Sequence, residues 1–135
     1  MSRQTVREQL VTLFTNTAAF NSVLGYLPAV LGDAQTKVLA VYSRRSTHRV
    51  DSAHLRNDFY VFYLDVLVKR GNDDTHEDTL DSLHETVRST VRTNIGNTNW
   101  SALDLEEASD CFHAEISGVG YRVERLTLTV KVTGS

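Results

Sequence analysis

The sequence predicts an α+β fold, a mostly antiparallel sheet of about four strands with two helices packed on one face. In NDFYVFYLDVLVKR, residues 57–70, apolar side chains alternate with polar or amphipathic ones, which is the pattern of a half-buried strand. The segment that follows repeats its apolar side chains at helical spacing. Neither stripe can be buried alone, so we expect the helix to pack on the even-numbered face of the strand. The two stripes are Tyr60, Phe62, Leu64, Val66 and Val68 on the strand, and Leu80, Leu83, Val87 and Val91 on the helix.

Capping residues predict where both helices begin and end. Ser2 can cap a first helix, and Asn16 is a suitable stop. The apolar positions of this helix follow helical spacing and are Val6, Leu10, Leu13 and Phe14. Asp74, with Glu77 three residues later, forms the capping box of the second helix. Asn94 and Gly96 are suited to end that helix.

Three further segments are predicted to be strands. KVLAVYS, residues 37–43, is short and rich in β-forming side chains, and CFHAEIS and YRVERLTLTVKV follow near the C-terminus. Gly118 and Gly120 are expected to make the turn between the last two. Residues 20–33 read as an irregular packed connection because glycine and proline interrupt them. Trp100 is expected to fold against the edge of the core.

Length and composition predict one domain spanning residues 1–135. The chain has 41% hydrophobic and 23% charged residues, and no apolar run approaches the length of a membrane span. We therefore expect a soluble protein, made in the cytoplasm, with no membrane partner. The single cysteine, Cys111, can form neither an internal disulfide nor a thiolate metal site, and is expected to be a half-buried small side chain.

Charge is distributed unevenly along the chain. Residues 1–70 carry nine basic and five acidic side chains, whereas residues 71–135 carry five basic and twelve acidic ones. The basic excess lies in residues 43–57, which show no clean periodicity and are predicted to form a long exposed loop or a flexible hairpin arm between the first two strands. The basic residues singled out are Arg44, Arg45, His48, Arg49 and Arg56, and the acidic ones are Asp104, Glu106, Glu107 and Asp110.

The basic arm admits more than one interpretation. A total charge of −3 and the lack of a nucleic-acid recognition motif argue against sequence-specific DNA binding. Non-specific contact with passing DNA needs only a local cluster of cations. A solvated arm is the plainest reading. The remaining interpretation is a heterologous contact, in which the arm meets the acidic segment of an identical subunit. Contacts of this kind can close into a ring.

The search for catalytic or metal-binding chemistry predicts no cofactor and no metal. His76 and His84 lie about 12 Å apart along one helix and cannot share an ion. The segment Ser117-Gly118-Val119-Gly120 fits neither a nucleophile elbow nor a phosphate loop. His113, Glu115 and Ser117 would share one face of a strand, with Phe112, Ala114 and Ile116 facing inward. That arrangement is the basis of the rival reading as a small α+β hydrolase or ligand-binding domain. A peptide adaptor that binds at a sheet edge is a third option.

The order of elements resembles the tail terminator, or tail completion, proteins of long-tailed bacteriophages and related neck proteins. The matching features are the helix REQLVTLF, the proline-containing connection into KVLAVYS, the arm, the strand FYVFYLDVLV, the helix EDTLDSLHETVRSTV, a tryptophan soon after it, and the closing strand YRVERLTLTVKV. They span nearly the whole chain.

The resemblance implies a virion structural protein of the tail or neck, assembled in the host cytoplasm. Its subunits would form a hexameric ring that caps the finished tail tube, stops polymerisation and offers a surface for head-tail joining. The implied partners are the protein itself, the tail tube protein and a head-completion or connector protein, and no catalysis is implied. Another head-tail connector or neck protein is the nearest alternative. The arm could line the channel for DNA or lie between subunits.

Overall fold

The computed structural model describes residues 1–50, 55–71 and 75–134, which form one mixed sheet and two helices. The elements are α1 (Arg3–Thr15), β1 (Ser22–Leu24), β2 (Lys37–Val50), β3 (Arg56–Lys69), α2 (Thr75–Thr93), β4 (Ala102–Leu105), β5 (Asp110–Ile116) and β6 (Val119–Gly134). The α+β class is confirmed. The prediction of about four strands agrees only roughly, because the described residues form the four predicted strands and two short ones.

The strands are ordered β1-β2-β3-β6-β4, and β5 also pairs with β6. All pairings are antiparallel except that of β1 with β2, which is parallel. β4 and β5 lie one after the other along the same side of the long strand β6, since β4 pairs near its C-terminal end and β5 near its start. The sheet therefore ends in β2, with the short β1 beside it, on one side and in β4 and β5 on the other.

Both helices pack on one face of the sheet, as predicted. Val6, Leu10 and Phe14 of α1 are fully buried, and the even-numbered side chains of β3 lie in the same core. The predicted stripe of α2 is buried against this face, with Leu80 and Val87 nearly or fully inaccessible to solvent. Burial of a Leu or Val side chain contributes about 1.5–3 kcal/mol, so these stripes orient both helices.

The predicted helix limits agree with the structure where they can be compared. Ser2 caps α1, because its side chain accepts a 3.1 Å hydrogen bond from the Thr5 amide, and Asn16 is the C-cap. α2 ends at Thr93, just before Asn94. Trp100 is buried and its Nε1 donates to the Asn94 carbonyl at 2.9 Å. The predicted N-cap Asp74 lies outside the described residues.

Two short strands were missed. Residues 20–33, predicted to be irregular, contain β1, and the segment after Trp100 contains β4. The side chain of Asn21 fixes the first of these, because its Oδ1 accepts hydrogen bonds from the backbone amides of Thr36 and Lys37 at 3.1 and 2.8 Å. This side chain joins the two ends of the connection and places β1 beside β2.

The turn between the last two strands is shifted from its predicted position. Ser117 and Gly118 occupy it, both with positive φ (52° and 78°), while Gly120 pairs with Glu115 inside the β5–β6 ladder. Two consecutive residues with positive φ are the mark of the tight hairpin turns that suit twisted strands. A glycine is favourable at the second position because it carries no Cβ.

The sheet face opposite the helices, called the open face below, is only partly covered. A second apolar cluster, which includes Val38, Leu67 and Val123, lies at one end of it, and Leu31 of the β1–β2 connection packs there. Phe112, Ala114 and Ile116 pack against this cluster, which agrees with their predicted inward orientation. Farther along the strands the open face carries aromatic, threonine and arginine side chains.

Candidate interaction surfaces at the two sheet edges

The basic arm is a regular extension of the sheet instead of a loop. β2 and β3 remain paired from Lys37↔Val68 out to Val50↔Arg56, with one bulge between Ser43 and Arg45. Residues 51–54, at the tip, lie outside the described residues. The hairpin alternative in the sequence prediction is therefore the correct one, and the loop alternative is wrong. The alternation of strand side chains consequently sorts the basic residues onto two faces.

His48 and Arg56 point to the helix side and are held by one carboxylate. His48 Nδ1 lies 2.6 Å from Oδ1 of Asp58, and Arg56 Nε donates to the same oxygen at 2.9 Å. Burial opposes ionisation of Asp58, but its hydrogen bonds to His48 and Arg56 outweigh that effect and lower the pKa of the carboxyl. Both side chains therefore stabilise the hairpin itself.

Arg44, Arg45 and Arg49 project on the open face. The guanidinium of Arg44 stacks over Tyr63 at 5.5 Å from the ring centroid, and that of Arg49 stacks over Phe59 at 5.2 Å. Arg45 is exposed and stands opposite Val61 in the β2–β3 ladder. A cation–π contact of this kind orients the Arg44 guanidinium over the ring of Tyr63 without cancelling its charge.

The acidic residues lie at the other edge of the same sheet. Asp104 pairs with Thr129 and Asp110 with Arg125 in the ladders to β6, while the Glu106 amide donates to the Thr127 carbonyl at 2.9 Å. Asp104, Glu106, Glu107 and Asp110 are all exposed. Asp104 shares the open face with the arm arginines, because its neighbour Leu103 is buried on the helix side.

One row of residues crosses the whole sheet and connects the two charged edges. Arg45 pairs with Val61, Val61 with Thr129, and Thr129 with Asp104. Three strand spacings of about 4.8 Å separate the ends of the row by about 14 Å. Arg45 and Asp104 are therefore too far apart for an ion pair within one subunit, although they lie at the same level and on the same face.

Both edges lack a neighbouring strand over part of their length in the described part of the chain. Beyond Ala40, the outer side of β2 pairs with no other strand in the part of the chain that the structure describes. The outer sides of β4 and β5 are likewise without a partner strand among the described residues. Open edges of this kind are templates for pairing with another chain.

A buried ionic network fixes the middle of the open face, and the sequence did not reveal it. Asp65 is 2% exposed and accepts hydrogen bonds from Tyr42 at 2.6 Å and from Arg125 at 2.9 and 3.1 Å. The ring of Tyr63 lies 4.6 Å below the Arg125 guanidinium. The hydrogen bond to Asp65 raises the pKa of Arg125, and burial together with the same carboxylate raises the pKa of Tyr42. The signal for this network in the sequence was Asp65, a carboxylate in the middle of a largely apolar strand.

The three residues of the rival hydrolase interpretation do not all share a strand face. His113 and Glu115 are exposed, with 3.9 Å between Nε2 and Oε1. Ser117 lies in the turn with φ of 52°, outside β5, and its hydroxyl donates to the Ala29 carbonyl at 3.3 Å. The prediction that alternation aligns all three is therefore wrong, because the strand ends at Ile116.

The other candidate chemical groups are separate from one another. His84 Nδ1 lies 2.8 Å from Oε2 of the buried Glu124, and His76 lies two turns earlier on α2. Within residues 1–50, 55–71 and 75–134, no three His, Cys, Asp or Glu side chains are grouped as a metal site requires. Cys111 is exposed, which corrects the half-buried expectation, and partial burial still raises the pKa of its thiol.

Comparisons with known proteins add no identification. No protein-family model matches the sequence, and no curated protein matches it. Among the described residues, neither helix is both long enough and apolar enough to span a membrane.

Proposed function

We propose that this protein is a virion subunit that forms a head-to-tail ring at the head-proximal end of a phage tail tube, ends tube polymerisation and provides the surface for head-tail joining. The observation that carries the proposal is the placement of opposite charges at opposite edges of one sheet. Arg44, Arg45 and Arg49 lie at the β2 edge, and Asp104 with its acidic neighbours lies at the other. Two different patches that complement each other on identical subunits make a heterologous contact, which closes into a ring when the rotation permits.

The two ends of the subunit support the proposal further. At the end where β2 begins, the connection after β1 exposes Tyr26, Leu27 and Val30 by 56–71% of their surface. At the hairpin end, Val50 and Leu55 are exposed by 73% and 49%. A ring between a tail tube and a head needs a contact surface at each end, and exposed apolar groups are suited to protein contacts.

The arm arginines also favour a second proposal, non-specific contact with DNA. Arg44, Arg45 and Arg49 lie on one face, and neutralising phosphates needs such a cluster and no base-specific geometry. If the open face lines the channel of the ring, the same side chains meet passing DNA. Duplex binding that weakens steeply with salt, lost on replacing these three residues by glutamine, would support this second role.

The proposed function is tested by electron microscopy of lysates from the phage with an early stop codon in this gene. We expect overlong, irregular tails beside unattached, DNA-filled heads. Tails of normal length with leaking or unjoined heads would instead place the protein in the neck. Intact infectious particles would refute a structural role.

A further inference from the structure

Arg44, Arg45 and Asp104 lie on strands at the two edges of the described sheet. From Val41 to Val50, β2 lacks an outer neighbour among the described strands, and β4 presents Ala102–Leu105 at the far side. Proteins protect such edges by covering or shortening them, or with charged side chains and β-bulges. Here the ten residues from Val41 to Val50 have no outer neighbour among the described strands, and the arginines and the bulge lie on this edge. The contact surface of the arm therefore includes its main chain as well as its side chains.

Strand direction is compatible with joining the two edges. Three antiparallel pairings separate β2 from β4, namely β2 with β3, β3 with β6, and β6 with β4, so β2 and β4 run in opposite directions. Copies related by rotation about an axis along the strands keep those directions. The β2 edge of one copy then meets the β4 edge of the next in antiparallel orientation, which permits regular hydrogen bonding.

Charge selects this pairing over the alternatives. Two β2 edges brought together would oppose arginines to arginines, and two acidic edges would oppose carboxylates to carboxylates. Like charges directly opposite one another on neighbouring strands are destabilising, whereas opposite charges are favourable. A two-fold dimer through either edge is therefore disfavoured, and the head-to-tail arrangement is favoured.

We propose that a second copy of this chain pairs its β2 edge with the β4 edge of its neighbour, continuing the sheet from subunit to subunit, with Arg45 opposite Asp104. This inference rests on the proposed ring, and it specifies a main-chain contact where the ring alone requires only charged patches. In this register Glu106 lies diagonal to Arg45, within reach of its long side chain. The row from Arg45 to Asp104 is thereby continued around the assembly.

The dimensions of such a closed wall suit a channel. Each subunit contributes four strands at the level of Arg45, β2, β3, β6 and β4. Six copies would give about 24 strands at about 4.8 Å, hence a wall about 115 Å around and about 37 Å across before strand tilt widens it. The helices cover one face of this wall, and the open face is the other.

Disulfide trapping tests the register directly. Cys111 is first replaced by serine, and Arg45→Cys is combined with Asp104→Cys in the full-length chain. Antiparallel partners lie about 4.5–5.5 Å apart between Cα atoms, which is within the range of a disulfide. Mild oxidation at high protein concentration should give a covalent ladder of subunits. The matched control is Ser46→Cys with Asp104→Cys, because adjacent strand residues face opposite sides of the sheet. This control should give no ladder.

The outcomes separate the two proposals. A ladder for the first pair and none for the control supports edge pairing. Rings seen by electron microscopy with no ladder, or with equal ladders for both pairs, would overturn edge pairing and leave the ring in place. A parent protein that stays monomeric at every concentration, and also when mixed with assembled tail tubes, would overturn both.

Discussion

The buried network of Asp65 predicts an asymmetric cost when its two charges are removed one at a time. The Asp65 side chain is 3% exposed, whereas that of Arg125 is 33% exposed. Removing Arg125 leaves a carboxylate that cannot reach water, and removing Asp65 leaves a guanidinium that can turn toward solvent. An uncompensated buried charge costs about 3–5 kcal/mol. We therefore expect Arg125→Ala to cost about 4 kcal/mol, and Asp65→Ala about 2 kcal/mol because solvent screens the remaining charge.

Thermal and urea unfolding, followed by circular dichroism, measure both values. An unfolding entropy of about 2.1 cal/mol/K per residue gives a fall in Tm of about 3.5 °C for each kcal/mol in a chain of this length. The expected losses are about 14 °C for Arg125→Ala and about 7 °C for Asp65→Ala. Tyr42→Phe is the matched control, because it removes one hydroxyl and leaves the ion pair, for about 1 kcal/mol. Equal losses for the two charge deletions, or a larger loss for Asp65→Ala, would refute the argument from burial.

Three further predictions follow from individual contacts. Reversing Arg44, Arg45 and Arg49 to glutamate should abolish self-association measured by analytical ultracentrifugation, and added salt should weaken assembly of the parent protein; unchanged association would contradict the charged interface. Because the pKa of Asp58 is lowered in the folded protein, its contribution to stability is complete above the ordinary value of 3.8 and is lost as the pH falls below it. Urea unfolding at a series of pH values should show that Asp58→Asn flattens this acid limb; an unchanged limb would count against the contact with His48 and Arg56. Gly118→Ala should cost about 1 kcal/mol by the same unfolding assay, because alanine is strained at the positive φ, whereas the exposed Gly134→Ala should be neutral.

Sequence patterns predicted the elements that bury a face. β3 and α2 each carry an apolar stripe with the period of its own structure, and both stripes lie in the main core. The cap at Ser2 could equally be predicted from the sequence, because its short polar side chain accepts a hydrogen bond from a nearby backbone amide. These elements are specified by nearby residues, so a single sequence contains the necessary information.

The missed elements depend on partners far along the chain. β1 and β4 have three and four residues, too few to show a period, and each becomes a strand only through a long-range ladder. Asn21 stabilises the first through contacts with residues 36 and 37. The ionic network likewise joins three strands, so only their pairing brings Tyr42, Asp65 and Arg125 together.

The candidate interface was predictable in part. The uneven distribution of charge along the sequence identified both the basic and the acidic patch. The hypothesis that these patches meet between two copies requires them to be apart within one copy. Their placement at opposite edges, on one face and in one row, could not be read from the sequence, because it depends on β6 inserting between β3 and β4. The division of the arm into a face with Arg45 and a face with His48 required the register after the bulge.

The exposed part of β2 lacks the alternating hydropathy that would have identified it as a strand, and the reason leads to a final prediction. A strand shows alternating hydropathy only where one face is buried, and beyond Ser43 β2 extends past the core, so that most of its side chains are exposed. Its ladder to β3 is stabilised by the contacts of Asp58 and by two arginine–aromatic stacks.

Exposed hydrogen bonds with few buried neighbours open easily. Amide hydrogen exchange in the arm should therefore be fast in the isolated subunit. In the assembled ring it should slow at residues 44–50, where the neighbour's strand would accept the outward amides, and at 102–105 on the opposite edge. The buried stripe of β3 should exchange slowly in both states and serves as the internal control. Protection confined to the β3 stripe after assembly would mean that the copies meet through side chains alone.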